Sequence, residues 1–349
     1  MKKTAESVIS KLSKVESGRY PMKLSDSKRI GITALVPPEI IYGCGHVPVD
    51  LNNLVVKNRE VVPEERLCAW AAGWRNIVLE GIADVDAVVV VAGGDCHNSL
   101  VEGQKLEMEG IPVHYYSYPF DGSAEKMYEE NLNLVRFLGG IIKPNAMKDI
   151  VRIKKKVKEI DNLRCEGVIE SSRAFELMVS SSDMGSDLQA FEQRVDALLD
   201  EAKRVSGGEE RATKKAFIRA ALLGVPPIFP DFHKKCHELG IQIVFDEMPF
   251  EFVRLSGHDI RSLSESYASY SFALPLKERF LMLKKHLNDR NAEAIIHYTQ
   301  YACHHVLEDS MIRKVFEIPV LTLQGDLPGI TPEAVLLRLE SLAQLHRWK

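Results

Sequence analysis

The sequence predicts an α/β fold: two pseudo-symmetric halves, each built on a parallel sheet, joined by a helical segment. Three observations carry that expectation. Apolar β-branched runs alternate with stretches of helical periodicity at both ends of the 349-residue chain, which is the pattern of βαβ units. Two stretches, "DAVVVVAGGDCHNSLVEGQKLEMEGIPVHYY" from 86 and "AEAIIHYTQYACHHVLEDSMIRKVFEIPVLTL" from 292, share an apolar run, a Cys-His pair, a helical stretch and Ile-Pro-Val. Residues 143–206, between the halves, are charged, helix-forming and nearly free of strand signals.

In chain order, "RIGITAL" reads as a strand and "PPEIIYGCG" as a helix opened by proline. "VPVDLN" reads as a second strand, and "ERLCAWAAGWRNIVLEGI" has helical spacing. "DAVVVVAGG" is the mark of a strand buried on both faces. A helix from about Asn98 to Glu109 and the strand "IPVHYYS" complete the first unit. Residues 143–206 hold two or three helices, and "SGGEE" at 206–210 breaks them. The second unit repeats the first. "AALLGVPPIF" matches "ITALVPPEI", and "IQIVFDEM" matches "VPVDLN". Cys96 lies 16 positions before Pro112, as Cys303 does before Pro319, and Gly122 and Gly329 each lie ten beyond those prolines. The fixed offsets favour internal duplication over the resemblance that all βαβ units share. The expected divisions are 1–142, 143–208 and 209–349.

Composition is ordinary for a globular protein, at 45% apolar and 27% charged residues with a formal net charge of −4. No basic patch suggests nucleic acid. The longest apolar runs fall well short of the ~20 residues of a membrane-spanning helix. The N-terminal "MKKTAESVISKLSKVES" reads as an amphipathic helix, not a signal peptide, so a cytoplasmic location is expected. The six cysteines, at 44, 68, 96, 165, 236 and 303, are then expected to be reduced. They are buried thiols or ligands.

Cys96 and Cys303 each follow directly after a buried strand. Parallel sheets bind their ligands beyond the carboxyl ends of the strands, so both cysteines are expected to face one crevice. The helix after each should aim its amides there and lower the thiol pKa. Two thiolates facing a cleft suit a metal, while two buried apolar side chains account equally well for the pattern. Cys68 opens the helix "CAWAAGWRNIVLEG" and supplies a third point. No C-x-x-C is present, so zinc-ribbon spacing is absent. Iron–sulfur clusters normally take four thiolates, and three would leave one iron open. Neither G-x-G-x-x-G nor G-x-x-x-x-G-K-[ST] occurs, so any ATP is expected to be used by a partner.

These segments together resemble the 2-hydroxyacyl-CoA dehydratase D-component family, which includes benzoyl-CoA reductase subunits and double-cubane cluster proteins. "VPPEIIYGCGHVPVDL" is similar to the family's Val-Pro-Glu-Glu-Leu-Ile element. "ERLCAWAAGWRNIVLEG", "VVVAGGDCHNS" and "YTQYACHH" resemble the three segments that carry its cluster cysteines. "IPVLTLQGDLPG" and "LLRLESLAQL" resemble its closing strand and helix. The resemblance runs from about Ile30 to the C-terminus. It implies two Rossmann-like domains with a 4Fe–4S cluster in the cleft, held by Cys68, Cys96 and Cys303. It also implies an ATP-dependent activator protein that passes one low-potential electron, a homologous partner subunit and an acyl-CoA substrate. The thioester would be reduced to a ketyl radical anion that expels the 2-hydroxyl.

The chain departs from the family pattern at Ala69, where proline usually follows the first cysteine, and at His97 and Asn98 after the second. No additional cysteines surround the first cluster segment, which favours a single cubane over a double one. Glu247 and His304 are the expected proton-transfer groups, and Arg254, Ser256 and Gln300 the expected substrate-binding residues. A structural ion pair accounts equally well for Glu247 and Arg254. His97 and His304, beside two of the cysteines, are expected either to relay a proton or to cap a helix. A noncatalytic electron-transfer subunit, or a double-cubane reductase of small molecules, is the alternative function.

Overall fold

The computed structural model describes residues 27–62, 67–94, 96–140, 142–206 and 217–347. The expected N-terminal helix, Asp95 and residues 207–210 of the expected break lie outside them. In the first unit, β1 (Arg29–Ile32) leads into α1 (Pro38–Gly43), β2 (Val47–Asp50) and α2 (Leu51–Val55). Then come α3 (Ala69–Leu79), β3 (Ala87–Gly93), α4 (His97–Met108), β4 (Val113–Ser117) and α5 (Ala124–Phe137). The connecting helices are α6 (Pro144–Cys165), α7 (Ser171–Ser180) and α8 (Leu188–Ser206). The second unit begins with β5 (Ile218–Gly224), α9 (Phe232–Glu238), β6 (Ile241–Asp246), α10 (Glu247–Phe252) and α11 (Ile260–Tyr267). It ends with α12 (Leu276–Asp289), β7 (Ala294–Gln300), α13 (Asp309–Val315), β8 (Val320–Gly325) and α14 (Glu333–Arg347).

The strand orders are β2-β1-β3-β4 and β6-β5-β7-β8. Every strand pair is parallel. The fold is therefore α/β with two four-stranded parallel sheets of the same topology, as the repeated sequence pattern implies. The shared Ile-Pro-Val has a common cause. Val113 pairs with Val88 in the first sheet, and Val320 with Ile295 in the second. The carbonyls of Pro112 and Pro319 accept from Val88 N at 2.9 Å and from Ile295 N at 2.8 Å. Proline has no N–H to give, so it stands just before the first strand residue and contributes only its carbonyl.

β3 is a run of valines whose first five residues are buried, because helices cover both faces of its sheet. A continuous apolar cluster runs between the units. It joins Trp74, Ile77, Val88 and Val90 to Ile228, Phe232, Tyr298 and Leu339. The connecting helices have a core of their own, including Ile150, Val157, Met178 and Phe191. Buried ion pairs tie them to each unit. Lys154 Nζ donates to Glu39 Oε1 at 2.6 Å on the first side. Arg164 donates to Asp246 on the second. These helices thus strap both sheets in one orientation.

β5 ends at Gly224, whose φ is +95°. A Cβ there would lie 2.2 Å from the Tyr298 carbonyl oxygen. Both the backbone conformation and the contact require glycine. Gly224→Ala is expected to lower the unfolding free energy by about 2–3 kcal/mol, read as a lower urea midpoint at unchanged slope. A loss under about 0.5 kcal/mol, the size of an ordinary surface change, would show that the loop relaxes freely.

Candidate functional site

The carboxyl ends of the strands in the two sheets converge on one cavity of about 110 Å³. Thr33 and Cys96 follow β1 and β3 into it, Asp50 ends β2 there, and Val225, Met248 and Cys303 enter after β5, β6 and β7. This is the place where strand order reverses in both sheets, the usual ligand position in open parallel sheets. Cys68 enters from the start of α3. The apolar walls are Ala71, Trp74, Val225, Pro226, Met248 and Phe252.

Each of the three cysteines occupies a helix N-cap position. Cys68 caps α3, Cys96 caps α4, and Cys303 caps the 3₁₀ turn His304–Glu308 that precedes α13. The expected helix after Cys303 is thus a tighter turn at first. Tight backbone turns deliver two of the thiols. Gly94, two residues before Cys96, has φ +80°, and a Cβ there would meet the Tyr118 Cβ at 2.8 Å. Ala302, directly before Cys303, has φ +60°, which costs a non-glycine residue on the order of 1–2 kcal/mol. Asn98 Nδ2 donates to the Ala302 carbonyl at 3.1 Å, so the two cysteine turns are joined across the cleft.

The expected lowering of thiol pKa by helix amides is outweighed. Burial pushes the Cys68 thiol up to about 11, although the nearby Ala71 and Trp70 amides pull it down. Burial pushes Cys303 up to about 12, against the His305 amide. The amides are aimed as the helix starts implied, but desolvation in an apolar pocket is the larger effect. A cationic group in the cavity would reverse it, since a coordinated thiol gives up its proton.

Three further side chains complete the site. Trp70 Nε1 and His305 Nε2 are buried without a hydrogen-bond partner, and both residues line the cavity. Gln300 also lines it, and its Oε1 has no partner while its Nε2 donates to the Asp326 carbonyl. Among the described residues no three His, Cys, Asp or Glu side chains stand close enough to hold a single ion. Thiolates on an iron–sulfur cubane stand further apart, because each binds its own iron. Three thiols, an indole N–H and an imidazole nitrogen around an apolar hollow therefore suit a polynuclear, sulfide-bearing group better than a lone cation.

Of the residues singled out in the sequence, the cavity brings together Cys68, Cys96, Cys303, Gln300 and His304. Burial and the neighbouring His305 lower the His304 pKa to about 4, so its ring is neutral near pH 7. The His97 and His304 rings approach at 5.6 Å. Glu247, Arg254 and Ser256 do not line the cavity. Glu247 is buried and bound by Arg279 at 2.7 and 2.9 Å. It also accepts from the Gly224 amide and the Ser271 hydroxyl. Arg254 is paired with Glu251 and the Ser266 carbonyl. The Ser256 hydroxyl donates to the Gly257 carbonyl at 3.1 Å. Cys44, Cys165 and Cys236 are also outside the cavity. Cys236 is core packing, and Cys165 Sγ accepts from Arg219 at 3.3 Å.

Sequence reasoning missed Asp50, Trp70 and His305. Asp50 carried one local signal, its place as the N-cap of α2, where its side chain accepts from Asn52 N at 2.9 Å. No helix among the described residues is long and apolar enough to cross a membrane. The model of the family described as 2-hydroxyglutaryl-CoA dehydratase, D-component, matches residues 33–345. No curated protein matches the chain.

Proposed function

Because the chain belongs to the 2-hydroxyglutaryl-CoA dehydratase D-component family, we propose that it is the iron–sulfur subunit of a 2-hydroxyacyl-CoA dehydratase-like enzyme. The observation that carries this reading is the meeting of Cys68, Cys96 and Cys303 in one cavity from two topologically equivalent sheets. In this reading the three thiolates hold a 4Fe–4S cluster. When bound, the cluster supplies one low-potential electron for attack on a thioester carbonyl, whose β-proton is too weakly acidic for ordinary elimination.

The chain's own residues do the rest. Val225, Pro226, Met248 and Phe252 keep water out and so sharpen the electrostatics of the site. Trp70 Nε1 stands ready to donate to a sulfide, which tunes potential. His304, neutral near pH 7, is the proposed proton relay, with Gln300 orienting the substrate. Glu247 serves in this reading to hold Arg279 in place, and Arg254 to hold Glu251. Proposed partners are an ATP-dependent activator, a homologous subunit and an acyl-CoA. A noncatalytic electron-transfer subunit is the second reading, favoured by the unpartnered His305 nitrogen beside the three thiols.

Oxygen-free purification, followed by iron and sulfide analysis, tests the assignment. About four of each per chain are expected, with a paramagnetic signal on one-electron reduction. A colourless chain that takes up no iron on anaerobic reconstitution would falsify the reading. About eight of each would replace it with a double-cubane reductase.

A further inference from the structure

His305 is the cavity residue whose surroundings are the most specific. It is 3% exposed. Its Nδ1 lies 2.7 Å from Glu308 Oε1. With Nδ1 engaged by the carboxylate, Nε2 is the ring nitrogen left for another partner. That Nε2 has no hydrogen-bond partner, although burial without one is costly for a polar atom. The ring is fixed further by the edge-on Phe272 ring, with centroids 5.0 Å apart. Glu308 is itself fixed by Arg279 Nη1 at 2.8 and 2.7 Å, and Arg279 by Glu247. A carboxylate on one ring nitrogen with the other nitrogen free is the arrangement that orients metal-binding histidines. Here the free nitrogen belongs to a residue lining the same cavity as Cys68, Cys96 and Cys303.

We infer that His305 Nε2 is the fourth protein ligand of the group held by the three thiolates, with Glu308 and Arg279 as its positioning residues. The inference rests on the proposed cluster and extends it to a Cys₃His donor set. Three thiolates leave one iron of a cubane open; a nitrogen there closes it. Replacing a thiolate with a neutral imidazole also raises the potential of an iron–sulfur centre. A closed centre has no iron free for substrate, so this ligand set selects the second reading above: the chain relays the electron, and substrate binding and dehydration take place elsewhere in the complex, not at His304 and Gln300.

The test uses the full chain, reconstituted anaerobically and reduced by one electron, with histidine carrying either nitrogen isotope. Pulsed EPR should show a directly coordinated histidine nitrogen whose coupling changes with the isotope. The coupling should be lost in His305→Gln and kept in His304→Gln, the other histidine lining the cavity. If His305→Gln fails to fold, His304→Gln and the labelled wild-type chain still decide the matter. About four iron per chain without histidine coupling overturns the ligand assignment and leaves the proposed function standing. Coupling lost in His304→Gln instead also overturns it. A chain without iron overturns both.

Discussion

Arg279→Met is expected to lower the unfolding free energy by about 3–5 kcal/mol at pH 7. Arg279 is 1% exposed and joins two carboxylates, Glu247 and Glu308. Its guanidinium also lies over the Phe272 ring, 4.5 Å from the centroid. Burial pushes the Glu308 carboxyl up, yet the His305 hydrogen bond and the Arg279 charge hold it at about 2. Methionine fills much of the arginine's volume but leaves two buried carboxylates without their cation. Removing one partner of a buried pair costs more than the pair contributes, because the other charge is stranded. The sign with pH follows from the proton count. In the wild-type chain the depressed carboxyl contributes stability that is present above its ordinary value of 4.5 and lost as pH falls toward 2. In the variant the stranded carboxyls take up protons in the fold, so the loss should shrink as pH falls from 7 toward 5. Urea unfolding of matched metal-free chains at both pH values checks this. A loss under about 1 kcal/mol at pH 7, the range of a surface ion pair, would show that water reaches the network.

Asp50→Asn is expected to act in the opposite direction, raising stability at pH 8 by up to about 4 kcal/mol and leaving it nearly unchanged at pH 4. Asp50 is 3% exposed. Burial, with Asp183 as a negative neighbour, pushes its carboxyl from 3.8 up to about 7. The folded chain then binds more protons than the unfolded one between those values. Stability from this group therefore falls as pH rises through that window and is lost above 7. Asparagine keeps the oxygen that accepts from Asn52 N. Its amide can donate to Ser182 Oγ, which lies 2.5 Å from Asp50 Oδ2 and 2.9 Å from the Val179 carbonyl and can then give its one hydrogen to that carbonyl. The comparison is the urea midpoint of both chains at pH 4 and pH 8. Equal midpoints at pH 8 would mean that Asp50 is charged in the fold at no cost.

Several features were legible because their signal is local. The valine run of β3 announces a strand covered on both faces, since that burial selects β-branched residues one after another. The shared Cys-to-Pro spacing announces one supersecondary unit used twice, and the two sheets have the same strand order. Cys68, Cys96 and Cys303 were singled out by their places at helix starts, two of them just after strands, and the three line one cavity. Gln300 and His304 were found by adjacency to Cys303 and do line the cavity.

What escaped was decided by partners far along the chain. Glu247, expected to move protons, meets Arg279 and Ser271 from later segments, and these fix it as an ion-pair partner. Asp50 acquires its raised pKa from burial, with Asp183 of the connecting segment as a negative neighbour. His304 and His305 are neighbours of one type, and only the Glu308–Arg279 network distinguishes the ring with an orienting carboxylate. The thiols were misjudged in sign because a helix start can be read from adjacent residues, whereas burial depends on both units closing over the site.

The amino-acid order alone therefore determined the α/β class, the repeated unit and the cysteine positions, since periodicity and spacing act over a few turns of chain, while the family was legible by the resemblance of whole segments. The tertiary structure alone decided which charges are paired, which nitrogen is left open and how strongly each thiol is desolvated. Those properties follow from dielectric and distance, which exist only once segments remote in sequence have packed together.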